Sequence, residues 1–417
     1  MPRCVLVTGG AGYVGSRLVP HLLEHGYAVR TLDLDMYGTA GREALEQDPR
    51  WSEWKDRFTH VHGDVREPKH VREALAGADS VIHLAAISND PTGEFDEVLT
   101  KQVNFDSVGL LVAEARRAGV TRFINASSSS VFGIKEEPDV VETLEPEPIS
   151  TYSRYKALAE WIVVCANSPG FTTVNVRPAT ICGYSPRQRF DLTVNKLTVD
   201  AVRKGVITVH GGQQRRPNVS MIDVLNLYTL LLEADPGVIG GETFNFGFEN
   251  NKIIDIAKII QGEVSDREVE IDVTAVFDQR DYHISSRRLV ETLGYEPVGS
   301  IRQAVSEELE SSPALEPMLL SPAQQSELAE ETRTWYRRPP THALVSLSRR
   351  FGADAIAVLR LRRFDPYPPA YVSLQVQVHS TETGALLFAS SGDHTSDWLP
   401  PSLLARLAAR RVLAPLP

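Results

Sequence analysis

Over the first 130 residues the chain alternates short apolar runs with amphipathic stretches: "CVLVTGG", "SRLVPHLLEHG", "AVRTLDLD", "HVREALAG", "DSVIHLAA", "VGLLVAEARRAGV" and "RFINASSSS". Short apolar runs bounded by turn residues predict buried strands, and apolar positions three and four apart predict helices packed on them. Strand, helix and strand repeated in this order needs crossover connections. A parallel sheet covered on both faces is therefore expected, a doubly wound α/β architecture.

From about residue 180 the alternation loosens into loops rich in Pro, Gly, Arg and Asn, with helical patterns near 191–204, 222–233 and 251–261. Such a region is expected to sit over the carboxyl ends of the strands, where open α/β sheets bind ligands. Near residue 310 the character changes again. "SSPALEPMLLSPAQQSE" is rich in Pro and Ser, and every Lys/Arg position beyond it is arginine. Inside this tail "AIAVLRLRRF" and "YVSLQVQVHS" followed by "TETG" and "ALLFASS" alternate as a hairpin would. The expected division is 1–178 for the large sheet, 179–310 for a smaller substrate lobe, and 311–417 for a separate small α/β appendage.

With 417 residues, a formal net charge of −11, 42% hydrophobic and 23% charged positions, the composition is globular. The acidic balance argues against nucleic acid or an anionic membrane as the main partner. Three scattered cysteines, Cys4, Cys165 and Cys182, lack metal-ligand spacing and imply neither a disulfide framework nor a metal site. The first glycine comes too early for a signal-peptide core and no apolar run is long enough for a bilayer, so a soluble, cytoplasmic protein is expected.

Two short stretches carry chemistry. "VTGGAGYVGSRL" follows the first strand and opens the first helix, placing Gly9, Gly10, Gly12 and Gly15 in the turn. Glycines let the backbone approach a pyrophosphate, and the N–H groups and dipole of the helix N-terminus favour its charge. Asp33 ends the second strand about 20 residues later, where its carboxylate suits the ribose hydroxyls of NAD and repels the 2′-phosphate of NADP. In "TYSRYKALAE", Tyr152 and Lys156 share a helix face while Tyr155 points elsewhere.

In order along the chain, "TGGAGYVG", "GDV" at 63–65, "HLAA" at 83–86, "SSSSVFG" at 127–133 and the Tyr152-to-Lys156 pair resemble the extended short-chain dehydrogenase/reductase family. The resemblance is to its NAD-dependent epimerases and dehydratases of nucleotide sugars and spans residues 3 to about 308. It implies a Rossmann-type doubly wound sheet with a smaller C-terminal substrate lobe. Gly9, Gly12, Tyr13, Val14, Gly15 and Asp33 would hold NAD. Asp64 would meet the adenine edge, Val65 its ring, and Leu84, Ala85 and Ala86 the cofactor at a strand end. Asn104 would support the backbone of the site.

Carried across in the same way, Tyr152 becomes the base. A free phenol has a pKa near 10, and the adjacent Lys156 ammonium and the positive nicotinamide lower it toward neutrality. Ser128, five residues before the glycine of "VFG", would hold the substrate hydroxyl, with Ser129 beside it. Where 4,6-dehydratases of the family carry Asp and Glu, this chain has Ser129 and Ser130, which disfavours that elimination.

The substrate lobe concentrates arginines in "SPRQRFDLTVN", "GGQQRRPNVSMIDV" and "DQRDYHISS". A diphosphate suits the planar guanidinium fork. Arg187, Arg189, Asn195, Arg216 and Arg280 are the candidate ligands. Thr180 stands where many epimerases have an asparagine that meets the substrate, which leaves the sugar open. The expected activity is oxidation of a ring hydroxyl, at C4, and re-reduction with net epimerisation. The alternatives are a nucleotide-sugar dehydrogenase or keto-sugar reductase, and a non-catalytic NAD-binding scaffold. The resemblance also implies a homodimer.

Overall fold

Six strands follow one another with helical crossovers: β1 (Cys4–Thr8), β2 (Ala28–Asp33), β3 (Phe58–His62), β4 (Ser80–His83), β5 (Arg122–Ala126) and β6 (Thr172–Pro178). The structure is a computed structural model. It describes residues 2–310 except 89–92, 95, 266, 276–280 and 282, and beyond them the backbone of three strands between 355 and 396. After β6 come β7 (Thr180–Cys182), β8 (Val206–His210), β9 (Arg215–Ser220), β10 (Glu242–Phe246), β11 (Glu249–Lys252) and β12 (Glu270–Thr274).

The large sheet runs in the order β10-β6-β5-β4-β1-β2-β3, with every pairing parallel. The central strands β1 and β4 are buried along almost their whole length because both faces are covered. Val7, Ile82, Ile124 and Val174 lie in register across four strands and line the core on one face. Their sequence neighbours Leu6, Val81 and Phe123 line the core on the other. Strand order reverses between β1 and β4, which opens a crevice at their carboxyl ends.

Residues 179–310 do not all lie in one smaller lobe. The Met221–Glu233 helix buries Leu225, Tyr228 and Leu231 in the core that also holds Leu18 and Leu22 of the Gly15–Glu24 helix, and β10 joins the large sheet beside β6. The chain thus leaves the large lobe and returns. This path is hidden from local pattern because the returning strand "ETFNF" resembles any half-buried strand. The smaller lobe keeps its own core of Val194, Leu197, Ile207, Ile256, Ile260, Ile301 and Val305.

Residues Met1–Ser311 form one compact unit and Ser312–Pro417 a second. The second unit contains an antiparallel sheet of β13 (Ala355–Asp365), β14 (Ala370–Ser380) and β15 (Leu386–Ser396). The expected hairpin corresponds to β14 and β15. The rest of the tail lies outside the described residues. No described helix is long and apolar enough to cross a membrane.

Candidate active site

The glycine turn is built to a tolerance that only glycine meets. A Cβ on Gly15 would stand 2.2 Å from Gly9 O, and Gly9 itself has φ +74° and lies against the Ala85 backbone. The turn closes on itself through Gly12 N–H to Gly9 O at 3.1 Å. Asp33 accepts from Ala11 N–H and Asp35 N–H, each at 2.9 Å, and burial pushes its carboxyl up. The cradle and the carboxylate at the end of β2 fit a dinucleotide.

Asp35 was not legible in the sequence. It takes a left-handed φ of 49° and accepts from Arg42 at 3.3 Å, with the His60 and His62 rings also within 3.5 Å of it. Arg42 sets a positive charge beside it, yet after burial the Asp35 charge still adds to the upward push on the neighbouring Asp33 carboxyl.

The Tyr13 ring is buried, and its hydroxyl donates to Gly183 O at 2.7 Å and accepts from Asn195 Nδ2 at 3.1 Å. The side chain thus ties the glycine turn to the smaller lobe, and a contact with a cofactor would fall to the Tyr13 backbone. Val14 is partly buried at the start of the first helix, packed on the core.

Asp64 is gripped by Arg66 through both carboxylate oxygens; burial pushes its carboxyl up, and Arg66 outweighs this to hold it below its usual range. Val65 is buried beside it. Beyond β4, Leu84 N–H and Ala85 N–H bond to Thr8, and Ala86 follows, partly buried. Asn104 lies in a π-helical segment, Gln102–Asp106. Its amide accepts from Ile87 N–H and donates to Ile87 O, both at 2.9 Å, clamping the strand exit.

The Thr151–Ala166 helix starts in a capping box between Ser150 and Ser153, which fixes where its first turn begins. Tyr152 is half-buried in that turn. Its phenol lies near Arg189 and Tyr228, whose proton affinities it raises. Lys156 is buried one turn on and donates to Ala126 O at 2.7 Å. Burial brings its ammonium down to about 8, against the opposing charge of Glu160. The Tyr155 ring packs on Phe105, centroids 6.3 Å apart.

Ser128 caps the short Ser129–Phe132 turn, accepting from Ser130 N–H at 3.2 Å and Ser130 Oγ at 2.9 Å. Its own hydroxyl hydrogen is not used in those bonds. Ser129 is buried. Underneath, Arg177 meets Glu160 in a bidentate pair at 2.8 and 2.7 Å, Ser127 donates to the same carboxylate, and the guanidinium stacks on Phe132. This buried cluster joins the end of β5, β6 and the Thr151–Ala166 helix.

Facing Tyr152 is an arm, residues 184–192. Arg187 stacks on Tyr37 with its guanidinium carbon 3.8 Å from the ring centroid, and burial pulls its proton affinity down. Arg189 pairs with Asp191 and reaches Ser88 Oγ at 3.2 Å. Burial works against its charge, and the Asp191 hydrogen bond, with Asp191 and Tyr152 nearby, more than restores it.

Asn195 is fully buried, its side-chain oxygen accepts from Gly183 N–H, and its two N–H donate to Tyr13 and Arg189 O. Its side chain thus ties the arm to Gly183 and to the glycine turn. Thr180 lies on β7, partly buried, in register with Asn218 of β9. Arg216 lies on β9 opposite Asn251 of β11. Arg280 lies outside the described residues.

The family described as "NAD dependent epimerase/dehydratase family" matches residues 5–247. Sterol demethylase protein B of Methylococcus capsulatus is 33% identical over 43% of this chain and 51% of its own length. UDP-glucuronic acid decarboxylase 2 of Arabidopsis thaliana is 29% identical over 72% of this chain and 66% of its own. The solved UDP-glucuronic acid 4-epimerase of Bacillus cereus, in complex with UDP-glucuronic acid and NAD, superposes with a TM-score of 0.65 at 25% identity. It covers 75% of this chain and 100% of that one. The chain spans from 51% to 65% of the length of the first curated relatives it matches. The cofactor is NAD, and the chain belongs to the NAD-dependent epimerase/dehydratase family.

Proposed function

We propose that the protein is an NAD-dependent nucleotide-sugar 4-epimerase with Tyr152 as base. The observation that carries this reading is a half-buried Tyr152 one helical turn from the buried Lys156, with Arg189 of the arm facing it. Bound NAD supplies the acceptor and donor of hydride. Tyr152 takes the proton of the sugar hydroxyl, and the positive charge of Lys156 stabilises the phenolate. Ser128 holds that hydroxyl beside the phenol. Asp33 and the glycine turn hold the cofactor, and Arg187, Arg189, Arg216 and Arg280 are the candidate ligands of the diphosphate or of an acidic sugar.

The substrate class is supported by the arginines of the arm and by two relatives whose names carry UDP-glucuronic acid. Ser129 and Ser130, in place of an acid and a base, argue against loss of water. A dehydrogenase that stops after oxidation is the second reading, favoured by the sterol-enzyme relative. The exposed Leu158 and Trp161, three residues apart on the catalytic helix, support a homodimer through that face.

Incubation with NAD and a panel of UDP-, dTDP-, GDP- and CDP-sugars, and with a 3β-hydroxysterol, separates these readings. A new sugar isomer of unchanged mass with no net NADH is expected. Stoichiometric NADH with loss of two hydrogens would establish a dehydrogenase instead, and loss of water would overturn the reading of Ser129 and Ser130.

A further inference from the structure

The anchoring of the arm leaves a proton to be placed. Gln188, between the two arm arginines, donates its Nε2–H to Glu308 Oε1 on the Ile301–Glu310 helix. Glu308 is 1% exposed. The two oxygens left over, Gln188 Oε1 and Glu308 Oε2, are both buried without a partner. A carboxylate and an amide carbonyl are acceptors only, so an ionised Glu308 would leave a buried charge and two unsatisfied acceptors.

One proton on Glu308 Oε2 removes all three defects. The charge disappears, the acid O–H donates to Gln188 Oε1, and two planar groups close a reciprocal pair. The surroundings agree: burial pushes the carboxyl from 4.5 up to about 7. Tyr13 from the glycine turn and Cys182 from β7 feel Glu308, and burial holds both neutral. On the helices packed against it, Asp200 is paired with Lys196 and Lys204, and Glu263 with Arg302. Among the described residues no cation pairs with Glu308.

We propose that Glu308 acts as a neutral acid that latches the arm through Gln188 and so positions Arg187 and Arg189. Glu308 is a positioning residue, and its link to turnover rests on the reading of those arginines as substrate ligands. The folded state binds the proton more tightly than the unfolded chain. The stabilisation is therefore complete below about 4.5 and lost as pH rises through about 7. Above that the arm loosens.

The test follows hydrogen exchange of segment 184–191, corrected for intrinsic rates, from about pH 6 to about pH 8.5. The proteins are full-length wild type, Glu308→Gln and Gln188→Ala, and the Kd of UDP-glucuronic acid with NAD is measured alongside. Exchange in wild type should quicken severalfold with pH and the Kd should weaken with it. Glu308→Gln should stay slow throughout, because an amide makes the same two bonds without a charge. Gln188→Ala should be fast throughout. Flat exchange in wild type, or a pH dependence that survives in Glu308→Gln, would overturn the latch. The expected exchange with no sugar nucleotide bound at any pH would support the latch and overturn the substrate role of the arginines.

Discussion

The glycine turn and the arginine arm meet where Ser185 donates to Tyr13 O, and they are built from different materials. The turn is backbone: Gly9, Gly12 and Gly15 on a strand-to-helix junction, where the clash of a single Cβ with Gly9 O sets the requirement. The arm is side chain: Arg187, Gln188 and Arg189 on a loop, kept in place by Asn195, Asp191 and Glu308. In the proposed reading the backbone site holds the dinucleotide. A side-chain site can change with each substrate without disturbing the sheet.

Tyr152 lies near Arg189 of the arm, and its removal is the largest expected effect. Tyr152→Phe should lower kcat by about 10²- to 10⁴-fold. Binding of NAD, followed by calorimetry, should change little, since the turn is untouched. An equal loss of NAD affinity would mean that the phenol serves the cofactor and would erase the contrast between the two regions.

Next in size comes the support beneath both. Arg177→Met leaves Glu160 charged and unpaired among groups that are 5% exposed, at a cost of about 3–5 kcal/mol of stability. Denaturant unfolding should show a much lower midpoint with an unchanged slope. Glu160→Gln with Arg177→Met together should recover part of that loss, because the uncompensated charge is gone. No recovery would place the cost in lost packing on Phe132 instead.

The arm itself gives a smaller effect confined to substrate. Arg189→Ala should raise KM for the sugar nucleotide by about 10- to 100-fold, the worth of a charged hydrogen bond of about 1.5–3 kcal/mol. Arg189→Lys should recover little of it, since a lysine lacks the fork that Asp191 and Ser88 engage. A loss of NAD affinity matching the rise in KM would show that the arm serves the cofactor as well.

The same contrast explains what the chain reveals before folding. The parallel sheet, the glycine turn, Asp33 and the Tyr152-to-Lys156 spacing are local patterns in which period and spacing carry the information. Asp35 with His60 and His62, and Glu308 with Gln188, join residues from separate elements, so no spacing announces them. Tyr13 and Asn195 show the opposite case. A motif marks them as facing a ligand, while tertiary packing engages the polar atoms of their side chains. The return of β10 to the large sheet is likewise a matter of topology and not of pattern.

The smallest effect is a pH limb. Lys156 carries its charge only below about 8, because burial opposes the ammonium. Tyr152 must give up its proton while Lys156 keeps its own, so the pair is active only between two apparent values that belong to both groups. kcat/KM should therefore fall above about pH 8, approaching tenfold per pH unit, as the charge that stabilises the phenolate is lost. Lys156→Met should remove this falling limb and move the rising limb upward, toward the ordinary phenol value near 10. A falling limb that persists in Lys156→Met would assign it to another group. Tyr228 is excluded on direction, because burial and its neighbour Tyr152 both push its hydroxyl well above the ordinary range. The arm latch of Glu308 titrates about one unit lower than Lys156 and acts through KM, so kcat at saturating substrate isolates the lysine from it.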